Sequence, residues 1–239
     1  MVRRDEILLR AGQALDKVRA RKPLIMCLTN SVVENWTANC LLALGAVPAM
    51  MAEPEESAEL AASSGAVLVN VGTVTRIQAV AMRAAIASCQ AHHIPWVLDP
   101  VAVHRLVFRR RLVTEFLACH PRLVRGNYNE ISAVKGLLGN TVALSTGAVD
   151  EIAGLRLANG VPMLQRVTGT GCVQGAIAAA FCAVEPDAVV AGVAASLTMS
   201  LAGEIANMVA PRPGAFQIAL LDALDALTAR DFRERVKWA

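Results

Sequence analysis

Aromatic residues are scarce in this chain: Phe, Tyr and Trp together make up 4% of it, with a single tyrosine. That shortage leaves no stacking platform for single-stranded nucleic acid and no aromatic-rich protein-binding surface. Charge is thin as well, at 18% of residues, and the net charge of +3 is modest. The densest basic run, Arg109 to Arg111, lacks the spread of a basic stripe. It reads as a solvated helix face, so no nucleic-acid partner is expected. Six cysteines (Cys27, Cys40, Cys89, Cys119, Cys172 and Cys182) fall in apolar segments without a CxxC pair. This is the pattern of reduced thiols and points to a cytoplasmic protein.

Several catalytic signatures are missing too. There is no GxxxxGK[ST], no GxSxG and no HExxH, which excludes a P-loop, a hydrolase nucleophile elbow and a helical zinc site. Of the apolar runs, Cys172–Val184 and Ala188–Gly203 come nearest to a membrane span. Each falls short of the ~20 residues required, and Glu185, Pro186 and Asp187 separate them. Both read as buried core helices, and no membrane partner is expected. The opening stretch, MVRRDEILLRAGQALDKVRARK, mixes charge with apolar residues at helical spacing, as an amphipathic helix does and a secretory leader does not. The four histidines, His92, His93, His104 and His120, read as surface residues away from any site.

What is abundant is small aliphatic residue. With 55% hydrophobic residues in 239, the chain can bury a large core and is expected to form one domain over 1–239. From Ala66 to Gly147 short β-branched runs alternate with longer helical ones. AVLVNVG (66–72), PWVLDPV (95–101), RLVRGN (122–127) and TVALSTG (141–147) are the strands. The stretches 76–93, 109–120 and 129–139 between them are helical. Pro23 to Thr29 is a further strand, and the spacing of Ser31 and Glu34 predicts a capped helix starting just after Asn30. In 151–164, Asn159-Gly160 between apolar runs predicts a hairpin turn or an edge strand. The fold class is α/β: a mostly parallel central sheet flanked by helices on both faces.

Ligands of such sheets bind beyond the carboxyl ends of the strands. The strand-end segments LTNS (28–31), NVGT (70–73), LDPV (98–101), RGNYNE (125–130), STGA (145–148) and VTGTGC (167–172) therefore belong to one rim. Gly169-Thr170-Gly171 precedes a helix. Such a turn offers free amides and the positive end of the helix dipole to an anion, and it serves equally as a plain glycine N-cap. Asp99 and Glu130 are strand-end carboxylates that suit Mg²⁺, directly or through water. Taken singly they read as an N-cap and a helix N-terminal charge. Together with an anion cradle they point to phosphoryl transfer. The rival is a dinucleotide site on Gly169, Gly171 and Gly175. It requires a βαβ unit ending in an acidic residue, whereas here two helices follow.

With these residues assembled, the sequence resembles the hydroxyethylthiazole kinases of the ribokinase-like superfamily. The resemblance rests on CLTNSVVENWTANCLLALGAVPAM (27–50), LVNVGT (68–73), PWVLDPVAV (95–103), VRGNYNEISAVKG (124–136), STG (145–147), VTGTGC (167–172), LAGEIA (201–206) and PGAFQIALLDAL (213–224). It implies ATP-dependent phosphorylation of 4-methyl-5-(2-hydroxyethyl)thiazole in thiamine salvage. It also implies that Met50 and Gly169 contact the thiazole alcohol and that Arg125 and Thr146 contact ATP. Cys172 would stand where the wider superfamily has an aspartate base, with Mg²⁺ held by Glu130 and Asp99. A helix N-terminus is expected to lower the thiol pKa of Cys172, which would then act as base or orient the alcohol. A homotrimer with sites at subunit interfaces is implied as well. Two departures stand out. AVHRL (102–106) replaces a Gly-Ala-rich turn, and the GVDS-like segment and helix expected between Asn140 and Thr141 are missing. That loss would thin the nucleotide side of the cleft, and a non-catalytic thiazole-binding protein with an impaired ATP site is the alternative reading.

Overall fold

A computed structural model describes residues 4–239. Eight strands form one sheet: β1 (Leu24–Leu28), β2 (Val47–Met50), β3 (Ala66–Asn70), β4 (Trp96–Asp99), β5 (Leu123–Asn127), β6 (Val142–Thr146), β7 (Asp150–Ile152) and β8 (Leu155–Leu157). Their order is β2-β1-β3-β4-β5-β6-β7-β8. The first six are mutually parallel, and the β7–β8 hairpin continues the sheet in antiparallel sense.

The central strands β1, β3 and β4 are buried on both faces, as strands of a helix-covered parallel sheet are, and alternate side chains go to two separate cores. Ile25, Cys27, Leu68 and Val97 face one core. Met26, Leu28, Val67, Val69 and Leu98 face the other. The first core is covered by α1 (Arg4–Arg21), α2 (Glu34–Leu44), α7 (Thr170–Cys182), α8 (Ala188–Val209), α9 (Pro213–Ala226) and α10 (Ala229–Arg235). The second lies under α3 (Pro54–Ser63), α4 (Arg76–His92), α5 (Val107–Leu117) and α6 (Tyr128–Val134). In α7 the buried face is nearly all Ala, Ile, Val and Gly, which lets the helix lie close on β3 and β4.

Several expectations are corrected. The helix after Asn30 starts one turn late. Residues 31–33 form a turn that the Val33 amide closes onto the Asn30 carbonyl, and α2 begins at Glu34 with no side-chain cap from Ser31. The hairpin of the 151–164 region turns at Ala153-Gly154 rather than at Asn159-Gly160. Asn159 is instead buried: its side chain donates to Glu204 and to the Arg235 carbonyl and accepts from the Lys237 amide. β2 and α3 are not anticipated at all, because β2 is a four-residue edge strand interrupted by Pro48. α8 runs to Val209, 22 residues, and so is long enough to cross a bilayer. Most of it is nevertheless buried against α1, α7 and α9, as a core helix. His92, His93 and His120 are exposed, and His104 is half-buried.

Candidate active site

The rim at the carboxyl ends of β4, β5 and β6, together with the start of α7, encloses a cavity of about 790 Å³. Arg125, Glu130, Thr146, Gly169, Thr170, Gly171 and Cys172 all line it. Two of the expected site residues do not. Asp99 is fully buried behind Arg125. Met50, half-buried at the end of edge strand β2, packs against the apolar cluster that contains Trp36.

Gly169 is the N-cap of α7, with φ +84, in the left-handed region that side chains resist. A β-carbon there would also stand 2.5 Å from Val33 Cγ1 and 3.2 Å from Trp36 Cδ1. The first helical hydrogen bond runs from the Val173 amide to the Gly169 carbonyl, at 2.8 Å. The amides of Thr170, Gly171 and Cys172 therefore precede the ladder, at the positive end of a 13-residue helix that faces the cavity. The Thr170 hydroxyl is a fastener, donating to the Leu164 carbonyl at 2.8 Å. Only its amide is left for the cradle.

Arg125, on β5, reaches across this turn. Its Nη2 donates to Thr146 Oγ1 at 2.9 Å, its Nε donates to Gln174 Oε1 at 3.2 Å, and its Nη1 lies 3.7 Å from Asp99 Oδ2. The guanidinium is thus held on three sides, with an edge toward the cavity. Asp99 also accepts from Asn70 Nδ2 at 2.9 Å. Its carboxyl is pushed up to about 7, chiefly by burial, with Arg125 opposing and the charge of Glu130 adding to the rise. Its second oxygen, Oδ1, is buried without a hydrogen-bond partner among the described residues.

Glu130 is a helix-terminal charge and more. Its Oε2 accepts from the Asn127 amide and Asn127 Oδ1 accepts from the Glu130 amide, a reciprocal capping box on α6. Its Oε1 accepts from the Ala102 amide at 2.8 Å. That bond holds the turn after Pro100 in place, with Ala102 itself in the left-handed region at φ +58 where a glycine-rich turn is expected. Each carboxylate oxygen of Glu130 already serves one amide.

Cys172 corrects the expectation of an activated thiol. Its Sγ accepts from Asn30 Nδ2 at 3.3 Å, and Asn30 in turn touches Asn70. Its pKa is pushed up to about 11, by burial first and then by the charge of Asp99. Those two effects outweigh the opposing influence of the asparagines and Arg125. At neutral pH the group is a thiol rather than a thiolate.

No group of three or more His, Cys, Asp or Glu side chains is placed to cage a metal ion among the described residues. Mg²⁺ bound mainly by water and phosphate needs only one or two carboxylates. Glu130 on the cavity wall fits that lesser demand through water, while the unpartnered Asp99 oxygen is set back from the cavity, beside Arg125.

The site also contains residues with no role assigned from sequence. Asn30 and Asn70 belong to strand-end segments, and their position was their signal. Asp150 and Gln174 face the cavity, yet Gln174 betrays itself only as the one polar side chain in the apolar run VQGAIAAA.

The profile of the Hydroxyethylthiazole kinase family matches this chain over residues 15–140 and 137–230. The two stretches meet where the segment before Thr141 is missing. The hydroxyethylthiazole kinase of Akkermansia muciniphila is 41% identical, with 94% of each chain covered. A hydroxyethylthiazole kinase structure from Pyrococcus horikoshii superposes with a TM-score of 0.92 at 36% identity, covering 96% of this chain and 98% of that one. A ribokinase-like superfamily protein from Enterococcus faecalis shares the fold alone, with a TM-score of 0.59 at 13% identity over 86% of this chain and 88% of that one. The sheet order, the glycine turn at α7 and these likenesses lead to one assignment: the chain belongs to the hydroxyethylthiazole kinase family.

Proposed function

We propose that this protein, acting as one ribokinase-like domain over its whole length, transfers the γ-phosphoryl group of ATP to the hydroxyl of 4-methyl-5-(2-hydroxyethyl)thiazole, a step of thiamine salvage. The carrying observation is the convergence of the Arg125–Thr146 pair and the free amides of Gly169–Cys172 on one cavity. Phosphoryl transfer through a loose transition state asks mainly for alignment and charge stabilisation. The α7 amides and the Arg125 guanidinium supply both for the phosphate chain. Gly169, beside Val33 and Trp36, borders the place for the alcohol, with Met50 as a more distant wall. Cys172, protonated, points the hydroxyl, whose proton passes to an oxygen of the transferred phosphoryl group as the new O–P bond forms and the O–P bond to ADP breaks.

Glu130, and Asp99 through water, would hold Mg²⁺ against the nucleotide phosphates, where the ion neutralises their charge. We take the working protein to be a cytoplasmic homotrimer in which a neighbouring subunit completes each thiazole site. The place of Met50 on the edge strand β2, whose other end carries the exposed Val47, supports that reading. A non-catalytic thiazole-binding role is not favoured, since the cradle, Arg125 and Thr146 are all in position.

The test is thiazole-dependent ADP release with excess Mg²⁺, with the product followed by ³¹P NMR as a new phosphate monoester. Absence of thiazole-dependent release from folded protein sinks the proposal.

A further inference from the structure

Among the described residues Arg125 is the one strong cation lining the cavity, and its guanidinium must hold one orientation to serve an anion. Two of its bonds, to Thr146 and Asp99, come from neighbouring strands. The third comes from Gln174 on α7, and a glutamine amide can face either way: it presents a carbonyl or, turned over, an NH₂ group. Arg125, which only donates, favours the carbonyl from the front, and a second restraint lies behind. Gln174 Nε2 donates to Asp150 Oδ2 at 3.4 Å, while Gln174 Oε1 accepts from Arg125 Nε at 3.2 Å. An ionised carboxylate only accepts, so Gln174 must turn its NH₂ toward Asp150 and its carbonyl toward Arg125.

Asp150 is itself anchored on two more sides. The Ser196 hydroxyl on α8 donates to its Oδ2 at 2.7 Å, and the Gly147 amide donates to its Oδ1 at 3.0 Å. Asp150, Gln174 and Ser196 are all buried. The Gly147 bond fixes the backbone immediately after Thr146, so one carboxylate braces both halves of the Arg125–Thr146 pair.

We propose that Asp150 is a positioning residue which, through the amide of Gln174, sets the orientation of the Arg125 guanidinium toward the phosphate-bearing substrate. This rests on the reading that Arg125 meets ATP, and it assigns to Asp150 and Gln174 a job done through Arg125. Replacing Asp150 by Asn keeps the size and adds a donor. With its carbonyl kept on the Gly147 amide, Asn presents its NH₂ to Gln174, which either loses that bond or turns its own NH₂ toward Arg125, donor against donor.

The test is a double-mutant cycle on the full-length protein, read as separate KM values for ATP and thiazole. Asp150→Asn is expected to raise KM for ATP about tenfold and to leave KM for thiazole within about twofold. Gln174→Met, which leaves the Ser196 and Gly147 bonds intact, is expected to do the same and covers the case in which Asp150→Asn fails to fold. In an Arg125→Gln background neither substitution should raise KM for ATP further. Full, independent effects in that background overturn the proposal, as does an unchanged KM for ATP in both single variants when Arg125→Gln alone raises it.

A second readout is free of activity. In ¹⁵N NMR of the unliganded protein the Arg125 Nε–Hε signal should be slowly exchanging in the wild type and lost or shifted in Asp150→Asn and Gln174→Met. If Arg125→Gln leaves KM for ATP unchanged, the ATP reading fails, and the NMR comparison alone decides whether Asp150 orients Arg125. An unaltered signal in both variants overturns the proposal.

Discussion

The guanidinium of Arg125 lies over Gly171, so that a β-carbon on that glycine would stand 2.8 Å from Nη1 and 2.9 Å from Nη2. The obstacle is the mobile end of a side chain, so in Gly171→Ala it is Arg125 that gives way. The backbone loses nothing, because alanine in a first helical turn is favoured over glycine by up to ~1 kcal/mol. The helix gain offsets part of what Arg125 loses in its contacts with Thr146, Gln174 and Asp99, so stability should change little or fall slightly while KM for ATP rises about tenfold, the size of one displaced charge-assisted hydrogen bond. Thermal melting and steady-state kinetics on the same preparation check both halves. A variant with normal KM for ATP would mean that this glycine is only a packing feature.

Gly169 should behave in the opposite way. Alanine there inherits φ +84 and meets Val33 Cγ1 at 2.5 Å, and Val33 is buried, at the N-cap of α2. The left-handed backbone costs about 1–2 kcal/mol and the overlap a similar amount. Gly169→Ala is therefore expected to lower Tm by roughly 5–10 °C, as well as to reduce activity. Two neighbouring glycines of one turn would then separate, one acting on nucleotide affinity and the other on the fold.

That separation shows what the sequence could and could not reveal. The parallel sheet is legible because β3, β4 and β5 are β-branched runs with polar residues at their exits, and the rim follows from where those exits fall. The glycine turn is legible as an anion cradle because its chemistry is local. β2 is hidden because it is four residues long and contains Pro48, which leaves no periodic signal, and nothing comparable accounts for α3. The state of Cys172 is hidden for another reason. A helix N-terminus is visible in sequence, but the burial that overrides it, and the neighbouring charge of Asp99, come from chain 73 residues away in tertiary structure. The Asp150–Gln174–Arg125 chain likewise joins β7, α7 and β5, and each member looks ordinary alone.

The raised thiol makes a direct expectation for pH. A group with pKa pushed up to about 11 carries little thiolate at pH 7, and its thiolate fraction grows tenfold with each pH unit until that value is approached. Iodoacetamide labelling of Cys172, followed by peptide mass mapping, should therefore rise about tenfold per unit from pH 7 to 10 with no plateau. Levelling near pH 8 to 9 would show an ordinary thiol and overturn the assigned environment. In kinetics, Cys172→Ala should lower kcat by less than about tenfold and barely move KM, since an orienting contact is lost and no base is. Cys172→Asp should match or exceed the wild type, because a carboxylate there supplies the proton acceptor that the thiol does not.

The last expectation concerns the short connection from β5 to β6. It consists of α6, one 3₁₀ turn over Lys135–Leu137 and a bend through Gly139 at φ +54. The family profile breaks at this point, and the alignment to the Akkermansia relative spans 254 positions against 239 residues here. The relative thus carries chain that this protein lacks. The physical trace is on β6, where only Leu144 is fully buried, whereas every residue of β3 and β4 is. Thr146, the proposed ATP contact, ends that less supported strand. The proposed thiazole side, on α2, β2 and the start of α7, belongs to other segments of the chain. ATP should therefore bind more weakly than the thiazole, and other nucleoside triphosphates should replace it with little penalty, because no added element closes over the base. Calorimetry with a non-hydrolysable ATP analogue, a GTP analogue and the thiazole measures all three. An analogue of ATP that binds as tightly as the thiazole, with the GTP analogue rejected, would show that the lost segment never formed a wall of the nucleotide site.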